Sequence, residues 1–334
     1  MQYGNDSPAR PAPRPGLVYR CVHAPEFSVL VALVVLALGM TAVRPAAFLS
    51  IENVFNILKG MSSIGVIAIG MTLIIITSGI DLSVGSLLAV SGIVTARLLY
   101  FDVHPVLAIG TGLLLGVALG AVNGVVIALV NINPFITTLG MLSVARGLSY
   151  FFATGIKGSV ASNIPVKNVW IQFLGGEYLG PIPVSVIVML ALVVLCDFLL
   201  RNTVLGRQIY AVGSNEEAAR LSGVNVAGVR IFVYAATGGL CALAGLMEAG
   251  LLSTAATSAG KGLELEVIAA VVIGGASLMG GRGSIYGAIF GAAIMAILRN
   301  AFVLLHLQAW TQTVAIGVVI VLAVGLDRLR ARRE

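Results

Sequence analysis

The stretch Leu205–Arg230 reads LGRQIYAVGSNEEAARLSGVNVAGVR. It decides the fold by its difference from what surrounds it. On both sides the chain runs through long apolar segments, whereas here Glu216 and Glu217, Arg207, Arg220 and Arg230, and Asn215 and Asn225 stand together. Inside this polar island sits a compact helix signal. Ser214 and Glu217 have the S-x-x-E spacing of a capping box, in which each side chain satisfies a free backbone N–H. Glu216 and Arg220 are four apart with the acid first, the favoured order for a pair on one helix face. Gly223 follows as a left-handed stop. The pattern predicts a helix over Asn215–Ser222 of roughly two turns, about 12 Å long. A helix that short is marginal alone in water, so it is expected to dock on something.

The rest of the composition says what the island interrupts. Of 334 residues, 58% are hydrophobic and 10% charged, against about 45–50% and about 25% in soluble domains. With a mean hydropathy of +1.03, the chain reads as an integral membrane protein. The 40 glycines agree, since glycine is frequent in packed membrane helices. The net charge of +6 is not a nucleic-acid signal, because the arginines gather at loop ends and termini. Cys21, Cys196 and Cys241 are far apart, which gives neither a disulfide framework nor a metal site.

The expected fold is an all-α, polytopic bundle of about ten spans. At roughly 20 residues each, they fall near 27–43, 53–77, 82–100, 105–130, 134–153, 181–200, 229–251, 264–280, 283–305 and 309–327. Residues 1–26, with Pro8, Pro11, Pro13 and Pro15 and with Arg10, Arg14 and Arg20, read as a flexible cytoplasmic tail. This lead imitates a signal peptide, but the many later spans point to an uncleaved first helix. An N-in, C-in orientation puts the loop 201–228, Arg282 and the basic tail 328–334 on the cytoplasmic side, as the positive-inside rule requires. The long loop 154–180 is then external and carries Trp170, Phe173 and Tyr178. They form either an interfacial aromatic belt or a docking surface for an external partner.

Two spans carry stripes of glycine, Gly112–Gly116–Gly120–Gly124 and Gly283–Gly287–Gly291. Each leaves one helix face as bare backbone for a close neighbour. A local likeness between Ser78–Gly85 (SGIDLSVG) and Gly280–Gly287 (GGRGSIYG) suggests an internal repeat, as transporters often have.

No G-x-x-x-x-G-K-[ST], H-E-x-x-H or G-x-S-x-G is present, so neither ATP hydrolysis by a P-loop nor a catalytic constellation is expected on this chain. Polar groups within spans carry the remaining signal. Asp81 is placed to cap the span beginning near Leu82, or to mark a break between half-helices at a gate. Glu264 and Glu266 open a later span, where acids suit the helix dipole, with Lys261 as a nearby partner. Arg146 and Glu248 lie deeper, placed to pair or to face a water-filled path. Asn56, Thr72, Thr77, Asn123, Thr137, Thr138 and Asn300 are candidates for a weakly polar path, or for helix–helix hydrogen bonds.

Several motifs in order resemble a known family. They are IGVIAIGMTLIIITSGIDLSVGSLLAVSG (64–92), PFITTLGMLSVARGL (134–148), LGRQIYAVGSNEEAARLSGV (205–224) and ELEVIAAVVIGGASLMGGRGSIYGAIFGA (264–292). Together they are similar to the permease subunits of the ribose/xylose/arabinose/galactose-type ABC importers. The likeness covers nearly everything beyond residue 45. The family usually reads GGIDLSVG where this chain has Ser78 in place of the first glycine.

The resemblance implies a multi-pass subunit of the bacterial inner membrane, in contact with lipid. Its partners would be an extracytoplasmic sugar-binding protein, a second permease subunit (a copy or a similar sister) and an ABC ATPase. The chain itself would hold no cofactor, with ATP and magnesium on the ATPase. Carried onto this sequence, the ATPase-coupling element is Gly213, Ser214, Asn215, Glu216, Glu217, Ala218, Ala219, Arg220 and Gly223. Alanines 218 and 219 would give a small face that can sit close to the partner. The rival readings are a self-sufficient secondary carrier or channel, and a membrane enzyme.

Overall fold

A computed structural model describes residues 25–154, 163–176, 178–179 and 182–331. Residues 1–24 of the expected N-terminal tail, 332–334 of the C-terminal tail, and 155–162, 177 and 180 of the long loop lie outside it. The described chain is helical almost throughout. In order the helices are α1 (Pro25–Val43), α2 (Pro45–Phe48), α3 (Ile51–Ile76), α4 (Val84–Tyr100), α5 (Pro105–Leu129), α6 (Pro134–Ala153), α7 (Val169–Gly175), α8 (Val184–Asn202), α9 (Val204–Ser214), α10 (Glu216–Leu221), α11 (Val226–Leu251), α12 (Leu263–Ile273), α13 (Ile285–Leu304) and α14 (Ala309–Ala331). Two short antiparallel pairs accompany them. β1 (Asn163–Pro165) lies on β4 (Thr254–Ala256), and β2 (Tyr178–Leu179) on β3 (Ile182–Pro183).

Local chemistry explains most helix starts. Ser50 accepts from the Asn53 N–H and Asn133 from the Phe135 N–H, satisfying donors that have no intrahelical partner. Pro105 and Pro134 occupy the first turn of α5 and α6, where a missing N–H costs nothing.

Each of the ten apolar stretches contains a helix, but the stretches are not equivalent. Among the described residues six helices are long and apolar enough to cross a membrane: α3, α5, α6, α8, α11 and α13. One stretch expected as a whole span is cut by a break, and another starts slightly late. That expected over 264–280 ends after 11 residues at Ile273, about 16 Å of helix against a hydrocarbon core of about 30 Å. The cause is Gly274-Gly275, with Gly275 at φ 91°, a conformation that only glycine adopts freely. That expected over 82–100 begins at Val84, after an irregular turn over Thr77–Ser83 in which Ser78 takes φ 60°.

Helix α3 is the hub. Every residue from Ile64 to Ile76 is buried, and α3 packs against α8, α11, α12 and α13. Around it, large apolar side chains face outward, among them Val35 and Leu38 on α1, Leu107 and Leu114 on α5, and Val194 and Phe198 on α8. Outward apolar surface on this scale fits contact with lipid.

The first glycine stripe meets α11. A Cβ on Gly116 would overlap Ala242 and the Gly238 carbonyl, and one on Gly120 would overlap the Tyr234 carbonyl. The second stripe meets the short helix α12 and its end, Gly287 lying on Gly274 and Gly291 on the Ala270 carbonyl. Backbone thus packs on backbone in both places. Gly120→Val should lower the thermal stability of the purified protein by about 1–3 kcal/mol through overpacking. Gly110→Val, with open space around it, should not. Unfolding curves in detergent compare the two.

Candidate functional site

The polar island folds as two helices rather than one. α9 runs to Ser214, whose hydroxyl donates to the Tyr210 carbonyl 2.8 Å away. Ser214 is therefore the last residue of a helix and not a cap, and the expected capping box does not form. Asn215 is the cap, its side-chain oxygen accepting from the Ala218 N–H at 3.0 Å. Only one non-helical residue separates the two helices, and it is the one able to cap the second. Helix α10 spans six residues, Glu216–Leu221. Gly223 at φ 84° ends it, with the Val224 N–H closing back on the Ala219 carbonyl at 3.0 Å, a six-residue closure characteristic of such stops.

Glu216 fixes this short helix to the bundle. It pairs with Arg220 at 2.8 Å, as the spacing predicts, and also with Arg230 of α11 at 2.6 Å. Ala219 is buried while Glu217, Ala218, Arg220 and Leu221 face outward. So Ala219, expected on the partner-facing side, packs inward, and Ala218 alone supplies the small exposed position. Leu221 is 84% exposed, an apolar side chain at the tip of a charged helix. A cavity of about 460 Å³ opens beside it, lined by Glu216, Arg220, Arg230, Asn131 and Asn225 among others.

Behind this segment, α9 meets the turn after α3 and the loop after α12. The Gly281 N–H donates to the carbonyl of Ile76, the last residue of α3, at 2.9 Å. The Ser78 hydroxyl lies 3.2 Å from the Gly213 carbonyl and 3.1 Å from that of Met279. The Tyr210 hydroxyl donates to the Gly283 carbonyl at 2.8 Å. The two stretches that look alike in sequence, Ser78–Gly85 and Gly280–Gly287, therefore meet at their first residues.

Asp81 lies in the turn after α3 and is fully buried. One carboxylate oxygen accepts from the Ser83 N–H at 2.7 Å and from its hydroxyl at 2.6 Å. Asn123 donates to the same hydroxyl at 3.1 Å. This is a turn that fixes Ser83, the residue before α4, and Asp81 caps none of the first-turn N–H groups of that helix. The other Asp81 oxygen and the Asn123 side-chain oxygen have no hydrogen-bond partner among the described residues.

The other path candidates divide. Thr72, Thr77 and Thr138 are buried, and each bonds a carbonyl of its own helix, Ala68, Ile74 and Pro134. Thr137, half-buried, bonds Asn133. Asn56 and Asn300 instead come together, on a groove of about 300 Å³ between α3 and α13. Asn53, Gly60 and Arg299 line it too. Asn53 and Asn300 exchange amide hydrogen bonds at 3.2 and 2.7 Å, and Arg299 pairs with Glu266 of α12 at 2.9 Å. The groove lies about 30 Å along α3 from the turn that follows it.

The family model for the branched-chain amino acid transport system / permease component matches residues 53–324. The chain belongs to this permease family. It is 43% identical to the ribose import permease protein of Escherichia coli (strain K12) over 89% of this chain and 92% of that one. It is 40% identical to the ribose import permease protein of Bacillus subtilis (strain 168), over 90% and 91%. It is 34% identical to the fructose import permease protein of Rhizobium meliloti, over 89% and 84%. No solved structure matches. The family is one of transport components, not of catalytic enzymes, and the chain is a multi-pass membrane protein.

The permease's long-range pairings were not visible in its sequence. Glu266 reads there as a first-turn acid beside Lys261, but its partner is Arg299, 33 residues away. Arg146 bonds the carbonyls of Thr257 and Ala259 at 2.6 and 2.8 Å rather than Glu248. A charge inside an apolar helix signals only that some partner exists. Asp81 also yields a prediction. Asp81→Ala leaves the Ser83 N–H and hydroxyl without their acceptor and should cost about 1–3 kcal/mol in thermal unfolding. Asp81→Asn keeps that acceptor and should leave stability and transport close to wild type. Normal membrane levels with lost uptake in the asparagine variant would assign Asp81 a gating role instead.

Proposed function

We propose that the chain is the translocation subunit of an ATP-driven importer of a monosaccharide, working in a bacterial inner membrane. A separate ATPase supplies energy, and an extracytoplasmic binding protein delivers the sugar. The cargo class follows from the relatives, named for ribose and fructose. One observation carries the rest of the reading. A six-residue helix, too short to be stable alone, is held to the bundle by Glu216 and presents Glu217, Ala218, Arg220 and Leu221 outward. Such a helix suits a cleft on an ATPase that binds ATP and magnesium, with Leu221 as the apolar anchor. Gly213, Ser214, Asn215 and Gly223 set its angle and ends.

In this reading the N- and C-termini face the cytoplasm, and the chain crosses about ten times if the short α12 and its loop count as one crossing. The groove between α3 and α13 then lies toward the outer face. Arg299, Asn53, Asn56 and Asn300 are poorly suited to lipid, so this face is assigned to a water-filled path shared with a second permease subunit. Amides and one guanidinium suit weak, exchanging contacts with hydroxyl groups. Asp81, Thr72, Thr77, Asn123, Thr137 and Thr138 support the helices around that path. ATP binding draws the two α10 helices together and opens the bundle outward, and hydrolysis resets it.

Two measurements test this. Proteoliposomes with the permease alone should accumulate no sugar under an ion gradient, and should do so once ATPase, binding protein and ATP are supplied. Uptake driven by the gradient alone would identify a secondary carrier. Glu217→Arg should leave the permease in the membrane but reduce ATP-driven uptake by about tenfold or more, the scale of a lost charged contact at an interface. Wild-type uptake by that variant removes the docking assignment.

A further inference from the structure

Four pieces of chain meet where α9 ends. They are the end of α3, the irregular turn before α4, the last turn of α9 and the glycine-rich loop from α12 to α13. The closest contact, of Gly213 with the end of α3, is backbone to backbone. Gly213 sits so close to the end of α3 that a Cβ there would overlap the Ile76 carbonyl and press on the Gly281 nitrogen. Gly281 holds φ 73° and lies against Ser214, nearest its hydroxyl. The Ile76–Gly281 hydrogen bond, the Ser78 hydroxyl and the Tyr210–Gly283 bond close the cluster. Every residue between Tyr210 and Asn215 is helical, so no flexible link separates this cluster from the cap of α10.

We infer that this cluster is a rigid joint, through which movement of the α10 segment reaches the turn after α3 and the loop after α12 at once. Ordinary packing of long side chains absorbs small shifts by rotamer changes. Backbone in contact with backbone has no such slack, so a displacement of Gly213 displaces Ile76 and Gly281 with it. The two elements it displaces each adjoin an irregular segment, the turn after α3 and the loop after α12, which can change angle without breaking a continuous helical ladder. One end of the joint sets the start of α4 through Asp81 and Ser83. The other sets the start of α13, which carries Arg299 and Asn300 in the groove. A movement begun at α10 is thereby delivered about 20 Å away along α13. Tyr210, Gly213 and Gly281 are positioning residues in this scheme, since none touches the sugar or the nucleotide.

The inference rests on the reading of α10 as the ATPase contact, and the experiment separates the two. The complete transporter is reconstituted in proteoliposomes, and D-ribose accumulated per ATP hydrolysed is measured together with co-purification of the ATPase. Tyr210→Phe removes one hydrogen bond of the joint and no bulk. It should leave co-purification and basal hydrolysis unchanged and lower the ribose-to-ATP ratio about threefold to tenfold, the effect of one neutral hydrogen bond. Gly213→Ala should force the joint apart and lower the ratio further, while Gly110→Ala, which has free space, should match wild type. A joint that is only structural predicts reduced thermal stability with the ratio intact in the surviving protein. That result, or a wild-type ratio in both variants, overturns the inference. Should Glu217→Arg leave the ratio and the ATPase contact untouched, the docking assignment fails first, whatever the joint variants do.

Discussion

A helix that stops inside a membrane leaves backbone N–H and C=O groups with no water to bond, and each unsatisfied group costs several kcal/mol. The organisation of this permease follows from how it meets that constraint. One helix stops short, α12 at Ile273, and the full-length helix α3 ends at Ile76 beside the loop that follows α12. The carbonyl freed at the end of α3 accepts an N–H from that loop, Gly281 to Ile76 at 2.9 Å. The two therefore have to be neighbours. Because α3 is buried along most of its length, the short helix α12 and the glycine face of α13 are drawn in around it. The polar island is drawn to the same place, since the Gly213 carbonyl meets the Ser78 hydroxyl and the Tyr210 hydroxyl donates to the Gly283 carbonyl.

What was legible in the sequence tracks the range of the interaction concerned. Hydropathy placed the ends of the helices within a few residues, as with 105–130 against Pro105–Leu129 and 134–153 against Pro134–Ala153. Those signals are summed over many residues and are local. The glycine stripes were legible as faces but not as contacts, because nothing in a stripe names its neighbour. The cap at α10 was assigned one residue early, since Ser214 and Asn215 are both good caps, and only the length of the preceding helix decides between them. The second pairing of Glu216, to Arg230, and that of Glu266, to Arg299, depend on how helices far apart in sequence are brought together.

The candidate site shows a matching division of strengths. At the α10 end the interactions are specific: a carboxylate shared by two guanidiniums, a side-chain cap, and backbone packed on backbone. At the groove they are looser: amides bonded to each other and a half-exposed Arg299 paired with Glu266. A carrier that must release its cargo gains nothing from a deep binding well. On the proposed reading of α10 as the ATPase contact, a segment that transmits force gains nothing from slack. Asp81 belongs with the first group, since it fixes the start of α4 through two bonds to Ser83.

Ser78 shows how finely such a joint can be balanced. It occupies φ 60°, which costs a residue with a Cβ about 1–2 kcal/mol relative to an ordinary helical conformation. Glycine at this position would avoid that cost. It would also leave nothing to reach the carbonyls of Gly213 and Met279, which the serine hydroxyl approaches at 3.2 and 3.1 Å. A net gain of about 0.5–1.5 kcal/mol for a hydrogen bond is of the same size as the strain. Stability therefore does not choose strongly between the two residues. What differs is the connection: with serine, the end of α3 is tied by a side chain to both α9 and the α12–α13 loop. With glycine, the contacts there would hold without the serine side chain, and the same overall stability would come with a looser link between α9 and the turns beside it.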